Sequence, residues 1–263
     1  MPSTQSHGIN IAFEVAGAGP AVVLNHSFLC SGAMWQPQVG PLAAEYRVIN
    51  IDCRGHGASG PIATPFTLDD MVDDVLAVLD HLAVDRAVWA GLSIGGMIAL
   101  RGALRAPDRV TALILADTDA GSENVWRRLK YSALAWLVRT FGIRLVLPQV
   151  TRQMFGLTTR RKNPALVTEW RHRFARVDVP SALLTLAALN RRSDLFRRLP
   201  EVHVPALVLV GTEDRSLPPR RSRRLAQALA RARLVEVAGA GHLASLEQPA
   251  AVTAAMLSFL RSL

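Results

Sequence analysis

Between residues 47 and 116 the sequence alternates short apolar runs with longer segments of helical periodicity. The apolar runs lie at residues 47–51, 87–90 and 110–116, and short runs of this kind are typical of strands that are covered on both faces. A helix is predicted from the capping residue Thr67 onward, where apolar side chains recur every three or four residues, and a second helix is predicted at residues 95–104. This order predicts an α/β fold whose central sheet is mostly parallel and has helices on both faces.

The same alternation returns near the C-terminus after a long interruption. Strands are predicted at residues 206–210 and 234–237, and helices at residues 220–231 and 250–260. The intervening segment has helical spacing, many arginines and scattered large apolar residues. The chain is therefore predicted to form one α/β core from residues 1–119 and 199–263, interrupted by a helical insert at residues 120–198.

The first strands flank a glycine-rich segment. Residues 9–15 and 21–24 are strand-like, and Gly17, Gly19 and Pro20 separate them. A Gly-x-Gly pattern can belong to a dinucleotide-binding loop, but a strand follows here where such a loop needs a helix. We therefore expect a hairpin turn.

The positive charge of the chain is concentrated in the insert. The formal net charge is +9, whereas residues 120–200 contain 16 arginines and lysines against 4 acidic residues. A basic surface can bind nucleic acid, but no zinc-finger spacing or basic–aromatic motif accompanies this one. The charge is best interpreted as arginine-rich, solvated helix faces, and no nucleic-acid partner is expected.

The cysteines and the hydropathy pattern indicate the cellular setting. Cys30 and Cys53 match no disulfide framework and no metal-ligand spacing, which suits a reducing compartment. Residues 1–8 lack the apolar stretch of a secretory signal, and arginines interrupt the most apolar part of the insert. A cytoplasmic protein with no membrane span is expected.

The strongest local motif is Gly-Leu-Ser-Ile-Gly-Gly at residues 91–96, between a predicted strand and a predicted helix. This is the Gly-x-Ser-x-Gly pattern of a nucleophile elbow in the context that the motif requires. A tight strand-to-helix turn leaves no room for flanking side chains, and it places a hydroxyl beside a helix N-terminus. Ser93 is therefore the predicted nucleophile.

A serine nucleophile needs a base and a carboxylate that orients the base. His242 follows the last predicted strand in a glycine-rich loop, at the sheet edge where catalytic groups of α/β folds collect. Asp214 follows the strand at residues 206–210 and is the preferred carboxylate. Glu213 beside it and Asp117 at the end of the preceding strand remain alternatives.

With these residues assembled, the chain resembles the α/β-hydrolase superfamily over essentially its whole length. The segment from Asp52 to Ser59 is similar to the family's loop after the fourth strand, where Asp52, Arg54 and His56 usually organise structure. The insert occupies the place of the helical cap that closes over the site in family members. The resemblance thus implies an α/β-hydrolase fold with an inserted cap.

The loop after the strand at residues 21–24 refines the resemblance. It begins Asn25-His26-Ser27-Phe28, and together with Met-Trp-Gln-Pro-Gln at residues 34–38 it looks most like the 3-oxoadipate enol-lactonase branch. The resemblance implies that the backbone N–H groups of Phe28 and Ile94 form the oxyanion hole. The candidate residues for a substrate pocket are His26, Trp126, Trp136 and Phe155.

The function expected from these residues is hydrolysis of a carboxylic ester or lactone through an acyl-enzyme on Ser93. Serine at the elbow disfavours dehalogenase and epoxide hydrolase chemistry, which needs an aspartate there. Two reactions of the same three side chains stay open: hydrolytic C–C cleavage of a dienoate ring-fission product, and cofactor-free perhydrolysis. A ligand-binding receptor on the same fold is the non-enzymatic alternative.

The expected partner is a small-molecule ester or lactone. A basic insert above the entrance can steer an anionic substrate. No organic cofactor is expected, and no metal, because the clustered histidines and aspartates of metal-dependent lactonases are missing. The chain is expected to be a monomer or a homodimer.

Overall fold

A computed structural model describes all residues from Met1 to Leu263. Eight strands form one sheet in the order β1-β2-β4-β3-β5-β6-β7-β8. Their bounds are β1 Ser3–Ser6, β2 Ile9–Ala16, β3 Ala21–Asn25, β4 Arg47–Ile51, β5 Ala87–Leu92, β6 Val110–Ala116, β7 Ala206–Gly211 and β8 Ala232–Val237. Strands β3 to β8 pair in parallel, and β1 and β2 add an antiparallel edge.

Eleven α-helices connect and cover the strands. They are α1 Gln36–Ala43, α2 Leu68–His81, α3 Ile94–Arg105, α4 Val125–Phe141, α5 Leu147–Met154, α6 Leu157–Lys162, α7 Pro164–Phe174, α8 Val179–Arg191, α9 Pro219–Ala228, α10 Ala244–Glu247 and α11 Pro249–Leu260. Short 3-10 helices lie at Gly32–Trp35, Pro107–Arg109, Ile143–Leu145 and Phe196–Glu201. None of these helices combines the length and the apolar character that crossing a bilayer requires.

The apolar core lies on both faces of the sheet, as predicted for a covered parallel sheet. In β5, Ala87 and Trp89 point to one face, and Val88 and Ala90 point to the other. Helices α2, α3 and α9 pack on the first face, and α1 and α11 pack on the second. Each face buries a cluster of 34 residues, so the sheet is the rigid platform on which the loops at its carboxyl edge are fixed.

Helix α2 begins at the predicted capping residue. The Thr67 hydroxyl accepts the N–H of Asp70, and the Asp70 carboxylate in turn accepts the N–H of Thr67. This reciprocal capping box satisfies two donors that a helix N-terminus otherwise leaves unpaired.

The expected hairpin at residues 17–20 is wrong. Strands β2 and β3 are not neighbours, because β4 lies between them, antiparallel to β2 and parallel to β3. The glycine at position 17 serves close packing instead: its φ is +72°, and a Cβ there would lie 2.3 Å from the carbonyl oxygen of Ala43. Strand β1, which pairs with β2, was also not predicted, because Ser3–Ser6 carries no apolar alternation.

Helices α4 to α8 occupy the segment between β6 and β7 where the insert was predicted. Helix α4 packs against α8, and α5 contacts α7. The aromatic residues of this segment divide into two groups. Phe155, Trp170 and Phe174 are buried in the core, whereas Trp126, Trp136 and Phe141 are exposed.

Candidate active site

Ser93 lies at the tight turn between β5 and α3, with φ +56° and ψ −114°. This left-handed backbone is strained for a residue with a side chain, and such strain is concentrated at functional positions. Glycine is required on both sides of the turn. A Cβ at Gly91 would lie 2.1 Å from the carbonyl carbon of Gly95, and one at Gly95 would lie 2.2 Å from the carbonyl oxygen of Asn25.

Two loops at the same edge of the sheet bring Asp214 and His242 together. Asp214 follows β7, His242 follows β8, and the Asp214 Oδ2 atom lies 2.8 Å from the His242 Nδ1 atom. The other oxygen of Asp214 accepts the N–H groups of Ser216 at 2.7 Å and Leu217 at 2.9 Å. Both carboxylate oxygens are therefore committed, and the imidazole is held in one orientation with its Nε2 atom free.

Ser93 and His242 line one cavity of about 140 Å³. Their side chains are not hydrogen-bonded to each other in this structure. Most of the lining is apolar and comes from the insert, with Leu134 and Val138 of α4 facing Leu183 and Leu186 of α8. The site thus combines an apolar chamber with polar groups at the sheet edge, as ligand sites commonly do.

One end of the cavity carries charged groups. Glu123 is buried and pairs with Arg127 at 3.1 Å and with Arg192 at 2.9 Å. Arg127 also donates to the Tyr131 hydroxyl at 2.8 Å and to the Ser216 carbonyl at 2.9 Å. These bonds leave the Nη1 group of Arg127 without a partner in the protein, and they leave the hydroxyl proton of Tyr131 free to be donated.

The two alternative carboxylates have other partners. Glu213 accepts the N–H of Thr158 at 2.8 Å, which ties its loop to α6. Asp117 is fully buried and accepts the N–H of Gly211 at 2.8 Å. Burial, and secondly the neighbouring Asp214 carboxylate, raise the pKa of Asp117 well above its usual range. Neither side chain is hydrogen-bonded to His242.

The predicted oxyanion donors are the backbone N–H groups of two residues, one in the loop after β3 and one at the start of α3. Phe28 lines the cavity, and its N–H has no hydrogen-bond partner in the protein. Ile94 is the first residue of α3, so its N–H is among those that have no acceptor within the helix. The neighbouring Ser27 also lines the cavity, and its buried hydroxyl is unpaired.

None of the four residues expected in the substrate pocket lines the cavity, so their placement is corrected. Trp126 and Trp136 are 78% and 60% exposed on the outer side of α4. Phe155 is buried in the core. His26 is buried below the loop, where its Nε2 atom accepts the N–H of Cys53 at 2.9 Å. Aromatic character alone did not reveal which face of a helix points inward.

The loop after β4 is structural, in line with the family resemblance. Asp52 accepts the N–H groups of Gly32 at 2.6 Å and Ala58 at 2.8 Å. Arg54 forms a buried ion pair with Asp74 at 2.6 Å. The bond between Asp52 and Gly32 fastens the loop after β3, which carries Phe28, to the end of β4, and the Arg54–Asp74 pair fastens the loop after β4 to α2.

Sequence reasoning missed Glu247, which holds the His242 loop in place. One of its carboxylate oxygens accepts the N–H groups of Gly241 and Leu243, the two neighbours of His242. The other oxygen accepts the N–H of Gly156, in the insert, at 2.8 Å. Burial raises the pKa of this carboxyl. No sequence motif predicts this positioning role, because a single glutamate in a short helix has no distinctive spacing.

A possible metal-ligand cluster lies away from this cavity. His7, Asp70 and Asp73 place one potential ligand atom each within 4.8 Å of the others. None of the three lines the cavity, and the His7–Asp73 contact of 3.5 Å lies at the surface.

The strand order and the tight turn at Ser93 define an α/β-hydrolase type of architecture, and comparison with known proteins identifies the family. Residues 20–249 match the family described as alpha/beta hydrolase fold, so the chain belongs to that family.

Among curated proteins, 3-oxoadipate enol-lactonase 2 of Acinetobacter baylyi is 28% identical over 98% of this chain and 95% of its own length. Among solved structures, the enol-lactonase of Burkholderia xenovorans superposes with a TM-score of 0.92 at 31% identity, covering 99% of this chain and all of its own. A thermophilic esterase from Thermogutta terrifontis, solved with malate bound, has a TM-score of 0.93 at 32% identity. It covers 99% of this chain and 96% of its own. The similarity to the enol-lactonase branch that the loop after β3 suggested is confirmed.

Proposed function

We propose that this protein is a serine hydrolase that cleaves a carboxylic ester or lactone. The observation that carries the proposal is the convergence of Ser93 with the His242–Asp214 pair on one apolar cavity. A binding module has no need of a strained serine beside a histidine whose tautomer is fixed. The enol-lactonases and the esterase to which the chain is similar support this class of substrate.

In the proposed mechanism His242 is the general base. The Nδ1–H group of the imidazole donates a hydrogen bond to Asp214, so the lone pair of the ring is on Nε2. Nε2 takes the hydroxyl proton of Ser93 as the Ser93 Oγ atom attacks the carbonyl carbon. The resulting imidazolium is stabilised by the buried carboxylate. It then donates its proton to the departing alkoxide or enolate oxygen, which leaves the acyl group on Ser93. A water molecule activated by His242 completes the hydrolysis.

The negative oxygen of the tetrahedral intermediate is assigned to the N–H groups of Phe28 and Ile94. Both donors belong to the backbone; Ile94 directly follows Ser93, and Phe28 lines the same cavity as Ser93. Fixed donors need no reorganisation when charge develops, and removal of one typically costs about 10²–10³ in kcat. Ile94 begins a helix, where the aligned peptide dipoles also favour negative charge.

The polar end of the cavity favours a substrate with an anionic group. Arg127 presents an unpaired Nη1 group, and the Tyr131 hydroxyl beside it has a free proton. Together they offer a charged N–H donor and an O–H donor, which a carboxylate can accept. The related esterase was solved with malate bound, and malate carries two carboxylates. We therefore assign anion recognition to Arg127 within the ester or lactone class.

Replacing Arg127 separates this preference from a general effect of charge. The Arg127→Gln variant should raise KM for carboxylate-bearing esters and lactones while neutral esters are little affected. Arg128→Gln, which removes the same charge from the solvent side of α4, is the matched control. Raising the ionic strength should likewise lower kcat/KM more for anionic esters than for neutral ones. Equal responses of the anionic and the neutral substrates to the Arg127 substitution and to salt would refute the assignment of anion recognition to Arg127.

The function itself is tested by labelling and turnover. A fluorophosphonate should label the folded protein, and Ser93→Ala should abolish both labelling and nearly all ester hydrolysis while leaving the fold intact. An unreactive serine in folded protein would favour the receptor interpretation.

A substrate panel should contain nitrophenyl esters of graded acyl length, several lactones and a dienoate ring-fission product. Fast turnover of the dienoate alone would place the chain with the C–C hydrolases. Ester or lactone turnover that depends on Ser93 supports the proposal.

A further inference from the structure

The outer face of α4 is an exposed apolar surface that the proposed hydrolase chemistry does not use. Ten large apolar side chains of the whole protein are exposed, and six of them lie between residues 125 and 145. We call this set the α4 patch; its members are Val125, Trp126, Leu129, Trp136, Phe141 and Leu145. Their exposed fractions lie between 57% and 78%. Contiguous apolar surfaces of this kind mark interaction sites.

Helix geometry places three members of the patch opposite the cavity. With 3.6 residues per turn, Val125, Leu129 and Trp136 fall on one side of α4. The cavity-lining residues Tyr131 and Val138 fall on the other. One face of this helix therefore forms a wall of the proposed active site, and the other face meets the surroundings.

Cations border the apolar stripe on both sides. Arg128 and Arg139 lie along one edge and Lys130 lies along the other, and Arg144 follows in the next turn. None of the four forms an ion pair. Residues 124–168 contain nine arginines and lysines and no aspartate or glutamate. The patch thus joins aromatic and aliphatic side chains to uncompensated positive charge.

We propose that the α4 patch docks on an anionic lipid surface. A helix with tryptophan, phenylalanine and leucine on one face and flanking arginines lies in the interface of a bilayer, with the apolar side chains among the acyl chains. Arginine and lysine extend their charged ends to the headgroups, where each contributes to electrostatic binding. Docking in this way places the wall of the catalytic cavity directly above the lipid.

The chemistry of the patch argues against a second copy of the chain, and against a nucleic acid, as its partner. Two copies that met through the patch would oppose cations to cations, with no acidic residue in 124–168 to compensate. A nucleic acid would neutralise the arginines, but it would leave the aliphatic centre of the stripe, Val125 and Leu129, without an apolar partner. An anionic lipid surface satisfies both parts of the patch.

The test is sedimentation of the full-length protein with vesicles of phosphatidylcholine containing phosphatidylglycerol, against vesicles of phosphatidylcholine alone. Binding should require phosphatidylglycerol and weaken with salt. Arg128→Gln combined with Arg139→Gln should lower the partition coefficient about 30-fold, because each cation near an anionic surface contributes roughly one kcal/mol of binding free energy. The matched control removes the exposed Arg86 and Arg220, which lie off the patch, and should change binding far less.

Tryptophan fluorescence reports on the patch itself. Three of the five tryptophans, Trp35, Trp89 and Trp170, are buried. Brominated lipid should therefore quench the fluorescence of the two exposed ones, Trp126 and Trp136. Replacing both with serine should remove the quenching and lower vesicle binding by roughly tenfold for each side chain. Hydrolysis of a soluble ester should be unchanged, because neither tryptophan lines the cavity.

Three results would overturn the proposal. The first is that folded protein does not bind phosphatidylglycerol vesicles at low salt. The second is a dimer in analytical ultracentrifugation that the double tryptophan variant abolishes, without vesicle binding, which would assign the patch to a second copy. The third is oligonucleotide binding that depends on the arginines and not on the tryptophans.

Discussion

Asp214→Asn tests the proposed catalytic arrangement most directly, because the structure fixes which way the new amide must point. In the wild type one carboxylate oxygen accepts two backbone N–H groups, from Ser216 and Leu217, and the other faces His242 Nδ1. Only the carbonyl oxygen of asparagine can accept those two N–H groups. The amide NH₂ is therefore directed at the imidazole.

That orientation forces the wrong tautomer of His242. Two donors cannot face each other, so the ring proton moves from Nδ1 to Nε2, and the atom that should accept the Ser93 proton has no lone pair. The expected loss in kcat is about 10⁴-fold, equal to about 5 kcal/mol of transition-state stabilisation. The free energy of unfolding should change by less than about 2 kcal/mol, since both backbone hydrogen bonds are kept.

Initial rates with a nitrophenyl ester and urea unfolding measure the two quantities separately. Asp117→Asn is the matched control, because Asp117 is equally buried at the end of the neighbouring strand but makes no hydrogen bond to His242. It should keep most of its turnover. If Asp117→Asn is inactive while Asp214→Asn resembles the wild type, the assignment of the carboxylate is refuted.

Three further changes test the packing and the charges around the site. Gly95→Ala places a methyl group 2.2 Å from the Asn25 carbonyl oxygen, so urea unfolding should show a loss of about 1–3 kcal/mol together with reduced turnover. Glu247→Gln leaves at least one buried N–H, that of Gly156 or of the His242 loop, without an acceptor, and should cost about 1–3 kcal/mol with a lower kcat. Because burial and Asp214 raise the pKa of Asp117, the folded chain keeps a proton that the unfolded chain loses above about pH 4. Wild-type stability should therefore fall relative to Asp117→Asn as pH rises above that value, by at most about 1.4 kcal/mol per pH unit, and parallel urea midpoints at all pH values would contradict this.

Much of the core was predictable because local chemistry and tertiary structure agree there. The parallel strands are uniformly apolar since both of their faces are covered, and α2 begins where Thr67 and Asp70 form a capping box. The turn at Ser93 was recognisable because its backbone geometry excludes any side chain at Gly91 and Gly95. The capping box and the clash at Gly91 act within a few residues of chain, and the clash of Gly95 with the distant Asn25 requires glycine in the same short motif, so together they leave a recognisable pattern.

The errors arose where distant segments decide the outcome. The segment at Gly17 reads as a hairpin turn, but β4 pairs with both flanking strands and separates them. Trp126 and Trp136 read as pocket residues, yet α4 turns them outward and presents Leu134 and Val138 to the cavity. A helical pattern shows which residues share a face, but it does not show what that face meets.

The sequence by itself determined the class of fold, the position of the proposed nucleophile and the order in which serine, aspartate and histidine follow one another. Short-range sterics and hydrophobic periodicity are enough for that. Tertiary structure alone decided that Asp214, and neither Asp117 nor Glu213, is bonded to His242, because this choice depends on how three loops meet at the sheet edge. It alone also placed Glu247 between that loop and the insert and left the α4 patch exposed, because both follow from contacts between residues that are far apart in the chain.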